Sequence, residues 1–122
     1  MSQFESLGLS PRVLRSVKSL GFDEPTPIQR DAIPLVLAGK DVMGLAQTGT
    51  GKTAAFGLPL VHHLLETNGK PPAKTVRSLI LAPTRELVSQ IAVHLKTYIR
   101  GTPLRVECIM GGTPINRQIR NL

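Results

Sequence analysis

The sequence has no tryptophan, one tyrosine and three phenylalanines, so aromatic residues make up only 3% of its 122 positions. That scarcity excludes a platform of stacked rings, the usual way of holding single-stranded bases without sequence preference. The single cysteine, Cys108, excludes an internal disulfide and fits a reducing compartment, so a cytoplasmic location is expected. It lies in the apolar run Val106 to Met110, where a buried strand residue is expected rather than a nucleophile. No apolar run approaches the roughly 20 residues of a membrane helix. The start, Met1-Ser2-Gln3-Phe4-Glu5, has neither the basic nor the apolar stretch of a secretory signal, and no membrane partner is expected. His62, His63 and His94 fall on expected helices without cysteine or carboxylate neighbours at ligand spacing, which argues against a metal held by protein side chains alone.

Acidic residues are also few: eight, against fifteen Lys and Arg, for a net charge of +7. The imbalance is concentrated in the second half. From Arg77 to Leu122 there are seven basic residues and two acidic ones (Glu86, Glu107), hence +5, while the first 76 residues contribute +2. Such a half suits a polyanionic partner, although solvated arginines alone also account for part of it. With so few rings present, the phosphate backbone is the part of a nucleic acid that would be gripped.

What is present is a globular chain of one domain, 41% hydrophobic. Ser10-Pro11 reads as an N-cap and first helical residue, with Gly21 as the stop. Thr26-Pro27 repeats the device for a helix ending near Gly39, which Pro34 is expected to break or restart. Asp41 to Ala46 reads as a strand, Lys52 to about Thr67 as a helix kinked at Pro59, and 67–74 as a surface connection. Ser78 to Ala82 is an apolar run suited to a buried parallel strand. Thr84 then caps a helix reaching about Arg100, with Leu87, Ile91, Leu95 and Tyr98 on one side. Leu104 to Met110 reads as a third strand, Gly111-Gly112 as a turn and Thr113-Pro114 as a further helix start. Strand alternating with helix predicts an α/β fold with a parallel sheet flanked by helices.

The chemistry concentrates in Ala46-Gln47-Thr48-Gly49-Thr50-Gly51-Lys52-Thr53. A strand, a glycine loop and a helix in that order form the setting of a phosphate-binding loop, whose backbone N–H groups point inward at the positive end of the helix. Lys52 supplies a charge for the β- and γ-phosphates, and the Thr53 hydroxyl suits a Mg²⁺ ion. Ala46 stands where the general pattern G-x-x-x-x-G-K-[ST] has its first glycine. A glycine-rich turn with a solvated lysine is the plainer alternative.

Further motifs carry a resemblance to a family. Gly21-Phe22-Asp23-Glu24-Pro25-Thr26-Pro27-Ile28-Gln29 resembles the Q motif of DEAD-box RNA helicases, Ala46 to Thr53 their motif I, Pro83-Thr84-Arg85-Glu86-Leu87 their motif Ia, and Gly111-Gly112 their GG motif. Order and spacing agree, and alanine at position 46 is normal for that family. Within it the chain looks most like the bacterial RhlE-type branch. The resemblance implies an incomplete RecA-like P-loop NTPase domain, with 1–40 as the Q-motif region and 41–122 as the first half of RecA-like domain 1. It implies ATP or ADP with Mg²⁺ as cofactors and the RNA backbone as partner. The nucleotide-binding positions would be Phe4, Phe22, Thr26, Gln29 and the loop from Ala46 to Thr53.

On these positions the family's mechanism has a physical reading. The Gln29 amide can accept from adenine N6 and donate to N7, whereas guanine would leave its carbonyl unpaired. Phe4 stands where the family has an aromatic that stacks on adenine; covering the core is the competing reading. Pro83, Thr84, Arg85, Gly111 and Gly112 match positions that approach RNA sugar and phosphate, so RNA binding should be independent of sequence. The family's Asp-Glu-Ala-Asp segment, its Ser-Ala-Thr motif and its second domain with an arginine finger do not occur in these 122 residues. One expected neighbour of the P-loop strand belongs to the part not present, which predicts an exposed sheet edge and self-association through it. The ATP-binding part of an RNA helicase, and a stand-alone, non-catalytic adenine-nucleotide or RNA-binding module, both remain open on the sequence.

Overall fold

Three side chains set where the main helices begin. Ser10 Oγ accepts from Val13 N–H at 3.4 Å, with Pro11 as the first residue of α1, Pro11–Ser19. Thr26 caps α2, Pro27–Leu37, by accepting from Gln29 N–H at 3.4 Å, while the Thr26 N–H donates back to Gln29 Oε1 at 3.0 Å. Two otherwise orphaned donors are thereby satisfied reciprocally. Thr84 caps α4, Arg85–Tyr98, with a bond from Leu87 N–H of 3.1 Å. Between these lies α3, Lys52–Glu66, and the last helix is α5, Ile115–Asn121. A short 3-10 helix, Gln3–Leu7, precedes them. These elements come from a computed structural model that describes residues 3–47, 49, 51–67, 72, 75–112 and 114–122. Thr113, half of the last expected helix start, lies outside the described residues, as does much of the expected 67–74 connection.

The helices pack around α3, which touches α1, α2 and α4. Phe4 and Leu7 of the 3-10 helix, Val13 and Val17 of α1, Ile33 of α2, Leu58 and Val61 of α3, and Leu95 and Tyr98 of α4 form one buried cluster. Residues on both sides of position 40 therefore share a single core. Each fully buried aliphatic side chain contributes about 1.5–3 kcal/mol relative to exposure. At Gly57 α3 leaves no room for a side chain against α4: a Cβ would sit 3.0 Å from Leu95 Cδ2 and 3.1 Å from the Tyr98 ring. His62 and His63 serve this packing. His62 Nδ1 accepts from Ser10 N–H at 3.0 Å, and His63 Nε2 lies 3.1 Å from the Val36 carbonyl.

Pro34 does not break α2, which continues through it to Leu37. A proline there removes one backbone bond and strains the preceding turn, at roughly 3 kcal/mol in an exposed helix. The flanking Ala32 and Ile33 are buried against the rest of the domain, and α2 makes its main contacts with α3, so tertiary packing overrides the local break. The helix α3 likewise runs through the buried Pro59.

The parallel sheet is the expectation the structure does not meet. Among the described residues none is in a strand, and residues 41–47, 78–82 and 104–110 form neither helix nor ladder. A strand is stable only when a neighbour takes up its N–H and C=O groups, and no backbone bond joins these three segments to one another. Two of them are largely bare: Met43 and Leu45 are each 87% exposed and Leu81 84%. Cys108, expected to be a buried strand residue, is half-buried. Residues 104–110 keep the strand's period of two, with Leu104, Val106, Cys108 and Met110 half-buried and Arg105, Glu107 and Ile109 exposed. Leu104 and Val106 rest on the helical core. The side-chain pattern of a strand is thus present without its hydrogen-bonding partners.

Candidate functional site

The start of α2 and the start of α3 meet at one side chain. Gln29 is buried, only 4% exposed, and its two amide atoms point to different elements. Its Oε1 accepts from Thr26 N–H at 3.0 Å, closing the cap of α2, and its Nε2 donates to the Gly51 carbonyl at 3.2 Å. Gly51 is the N-cap of α3 and has a left-handed backbone, φ +85°. A Cβ at this position would collide with Gln29 Nε2 and lie 3.1 Å from Thr26 Oγ1, so only glycine combines the turn with the contact. Position 29 and the phosphate-loop candidate, 22 residues apart in sequence, are thereby joined.

An amide oxygen can accept two hydrogen bonds and an amide nitrogen can donate two. Each amide atom of Gln29 spends one of its two on Thr26 or Gly51. The remaining acceptor and donor match the N6 and N7 edge of adenine. Within the loop, Lys52 Nζ donates to the Ala46 carbonyl at 2.7 Å. This places the ammonium across the loop that would cradle a phosphate. Gly49 has φ +83°, Gln47 is exposed, and Thr53, the second residue of α3, is half-buried. Thr48 and Thr50 lie outside the described residues. No side chain caps α3 at Gly51, so the helix offers its N-terminal backbone to an anion.

Phe4 is 0% exposed and stacks on Phe22, with ring centroids 6.4 Å apart and planes at 21°. Of its two sequence readings, this arrangement is that of a residue covering the core; to meet an adenine its ring would have to emerge. Phe22 is half-buried beside it.

A second cluster assembles at the start of α4. Pro83, Thr84 and Arg85 are exposed, with Arg85 opening the helix. Gly111 and Gly112 are exposed as well, and a Cβ on Gly112, whose φ is +80°, would sit 3.1 Å from Arg85 Nη1. The arginine therefore lies against the glycine turn, 27 residues along the chain. The turn is held from the other side by Gln118 of α5, whose Oε1 accepts from Met110 N–H at 2.7 Å. Bare backbone, a helix N-terminus and a guanidinium form a surface suited to phosphate and not to base edges. Sequence reasoning placed both halves of this cluster but had no signal for the Gln118 contact.

A profile of the DEAD/DEAH box helicases matches residues 26–122. The chain belongs to that family. An ATP-dependent RNA helicase, CshA of Listeria monocytogenes, is 47% identical over all 122 residues, which span 22% of that protein. Among solved structures, the RNA helicase Prp28 of Chaetomium thermophilum, bound to ADP, superposes with a TM-score of 0.85 at 45% identity, covering 97% of this chain and 29% of that one. A DEAD box protein of Methanococcus jannaschii gives a TM-score of 0.85 at 37% identity over 96% of this chain and 31% of its own. No helix among the described residues is long and apolar enough to cross a membrane.

Proposed function

We propose that this chain is the ATP-binding portion of an ATP-dependent RNA helicase, with 1–40 as its Q-motif region and 41–122 as the first half of a RecA-like domain. The observation that carries this reading is the buried Gln29 amide, bonded to both the α2 cap and the Gly51 carbonyl with one donor and one acceptor left for adenine. In this reading Gln29 selects the base and the N-terminus of α3 binds the phosphates. Lys52 exchanges the Ala46 carbonyl for the β- and γ-phosphate oxygens. Mg²⁺ would arrive with the nucleotide, and the Thr53 hydroxyl would meet it there. Arg85, Thr84 and the Gly111-Gly112 turn grip RNA through its backbone.

Titration calorimetry with ADP and GDP tests the base assignment. A good bidentate base contact is worth about 1–3 kcal/mol, so ADP should bind roughly 5- to 140-fold more tightly. Equal affinities, or a preference that survives Gln29→Ala, would refute it. The bare apolar segments 41–47 and 78–82 favour a second element in the proposal: the 122-residue polypeptide self-associates through them. Light scattering that shows a monomer at high concentration would exclude that.

A further inference from the structure

At the opposite ends of α3 and α4 from the phosphate and RNA clusters lies a cleft of about 400 Å³, a size that suits a small ligand or a few side chains. Helices of 15 and 14 residues put it about 20 Å from those clusters along their axes. Arg12 and Arg15 of α1 and Arg100 beyond α4 line it, with Leu20 and Leu65 among its apolar surfaces, and no acidic side chain does. Arg12 is fixed in place, its Nη2 donating to the Gly101 carbonyl at 3.0 Å. Among the described residues no hydrogen bond or ion pair holds the Arg15 or the Arg100 side chain, and the ion pair there, Arg105 with Glu107, lies elsewhere. These two guanidiniums flank a half-buried apolar patch without internal compensation.

We propose that this cleft docks an acidic segment of a partner protein, one carrying an aliphatic residue among its carboxylates. Carboxylates match the planar fork of Arg15 and Arg100, which pairs bidentately with them. The aliphatic residue covers Leu20 and Leu65, a surface from which a phosphate backbone gains nothing. The lining offers no exposed ring for a nucleobase, since its one aromatic, Tyr98, is 3% exposed. The combination favours an acidic peptide over RNA. Because the cleft is remote from Gln29 and Lys52, its occupation does not depend on bound nucleotide.

Fluorescence anisotropy with a labelled Glu-Asp-Leu-Glu-Asp-Leu peptide tests this on the full chain. Binding is expected, weakening at least tenfold in the Arg15→Glu/Arg100→Glu variant and at least fivefold when serine replaces both leucines of the peptide. ADP affinity and the far-ultraviolet dichroism of the variant should match the parent chain. If the reversed variant does not fold, Arg15→Gln/Arg100→Gln is used, with a threefold or greater loss expected. Absence of peptide binding, or binding unchanged in the folded variant, overturns the proposal. So does a matching loss of single-stranded oligouridylate binding, which would assign the cleft to RNA. Loss of ADP discrimination with peptide binding intact would fail the nucleotide reading alone.

Discussion

Replacing Gly51 with alanine separates two costs that the structure puts at one position. The first is conformational: at φ +85° an L-residue is strained by about 1–2 kcal/mol, partly offset by about 0.4–1 kcal/mol from a less flexible unfolded chain. Gly39, at φ +79° with nothing within 4 Å of its would-be Cβ, carries the same terms and no others. Gly39→Ala should therefore cost about 1 kcal/mol. The second cost belongs to Gly51 alone, because the added methyl displaces Gln29 Nε2 from the Gly51 carbonyl. A buried donor and acceptor left without each other cost about 1–3 kcal/mol. Gly51→Ala should thus destabilise by about 2–4 kcal/mol in urea unfolding followed by far-ultraviolet dichroism. The double variant Gln29→Ala/Gly51→Ala should cost less than the sum of the single ones, since the clash has lost its partner. If Gly51→Ala costs no more than Gly39→Ala, the tie between α2 and the loop does not hold the fold as described.

Three further outcomes follow from the same geometry. Arg85→Ala should weaken binding to every single-stranded RNA alike and lower the salt slope by about one, measured by anisotropy across ionic strengths; a sequence-dependent loss would contradict a backbone contact. The 122-residue polypeptide should bind adenine nucleotide without measurable turnover, with or without RNA, because an arginine at the γ-phosphate alone commonly supplies about 10³–10⁵ in rate and the acidic metal-binding segment is not among these residues; RNA-stimulated hydrolysis abolished by Lys52→Ala would disprove it. Burial raises the Tyr98 phenol above its ordinary value of 10.0, so its contribution to stability is complete below that pH and is lost as pH rises through it; urea midpoints should fall more steeply above pH 10 in the parent than in Tyr98→Phe.

Capping chemistry is what made the helices legible. Ser10, Thr26 and Thr84 each combine a side-chain acceptor with a helix that needs one, and each caps where its residue type predicts. The loop from Ala46 to Thr53 and the pair Arg85 with Gly112 were also readable as motifs, but their meeting with Gln29 and with each other came from packing across 22 and 27 positions. Pro34 misled because local propensity carries no information about what α2 rests on. The sheet is the part of the expectation that the described residues do not confirm. Residues 78–82 have the composition of a buried strand and 104–110 also its alternation, yet a ladder is a property of two chains of backbone, and composition describes one at a time. Nothing in the first ten residues announced the 3-10 helix, whose Phe4 is held by the core rather than by local preference.

Gln29 also turns one backbone proton into a gauge of the loop. The Thr26 N–H donates to Gln29 Oε1, and Nε2 of the same planar group holds the Gly51 carbonyl, so the two bonds share one rigid amide. Each excursion of the loop that pulls Gly51 away frees the planar amide to rotate and lets the Thr26 proton exchange with water. Its exchange rate should therefore report loop openings from a residue outside the loop itself.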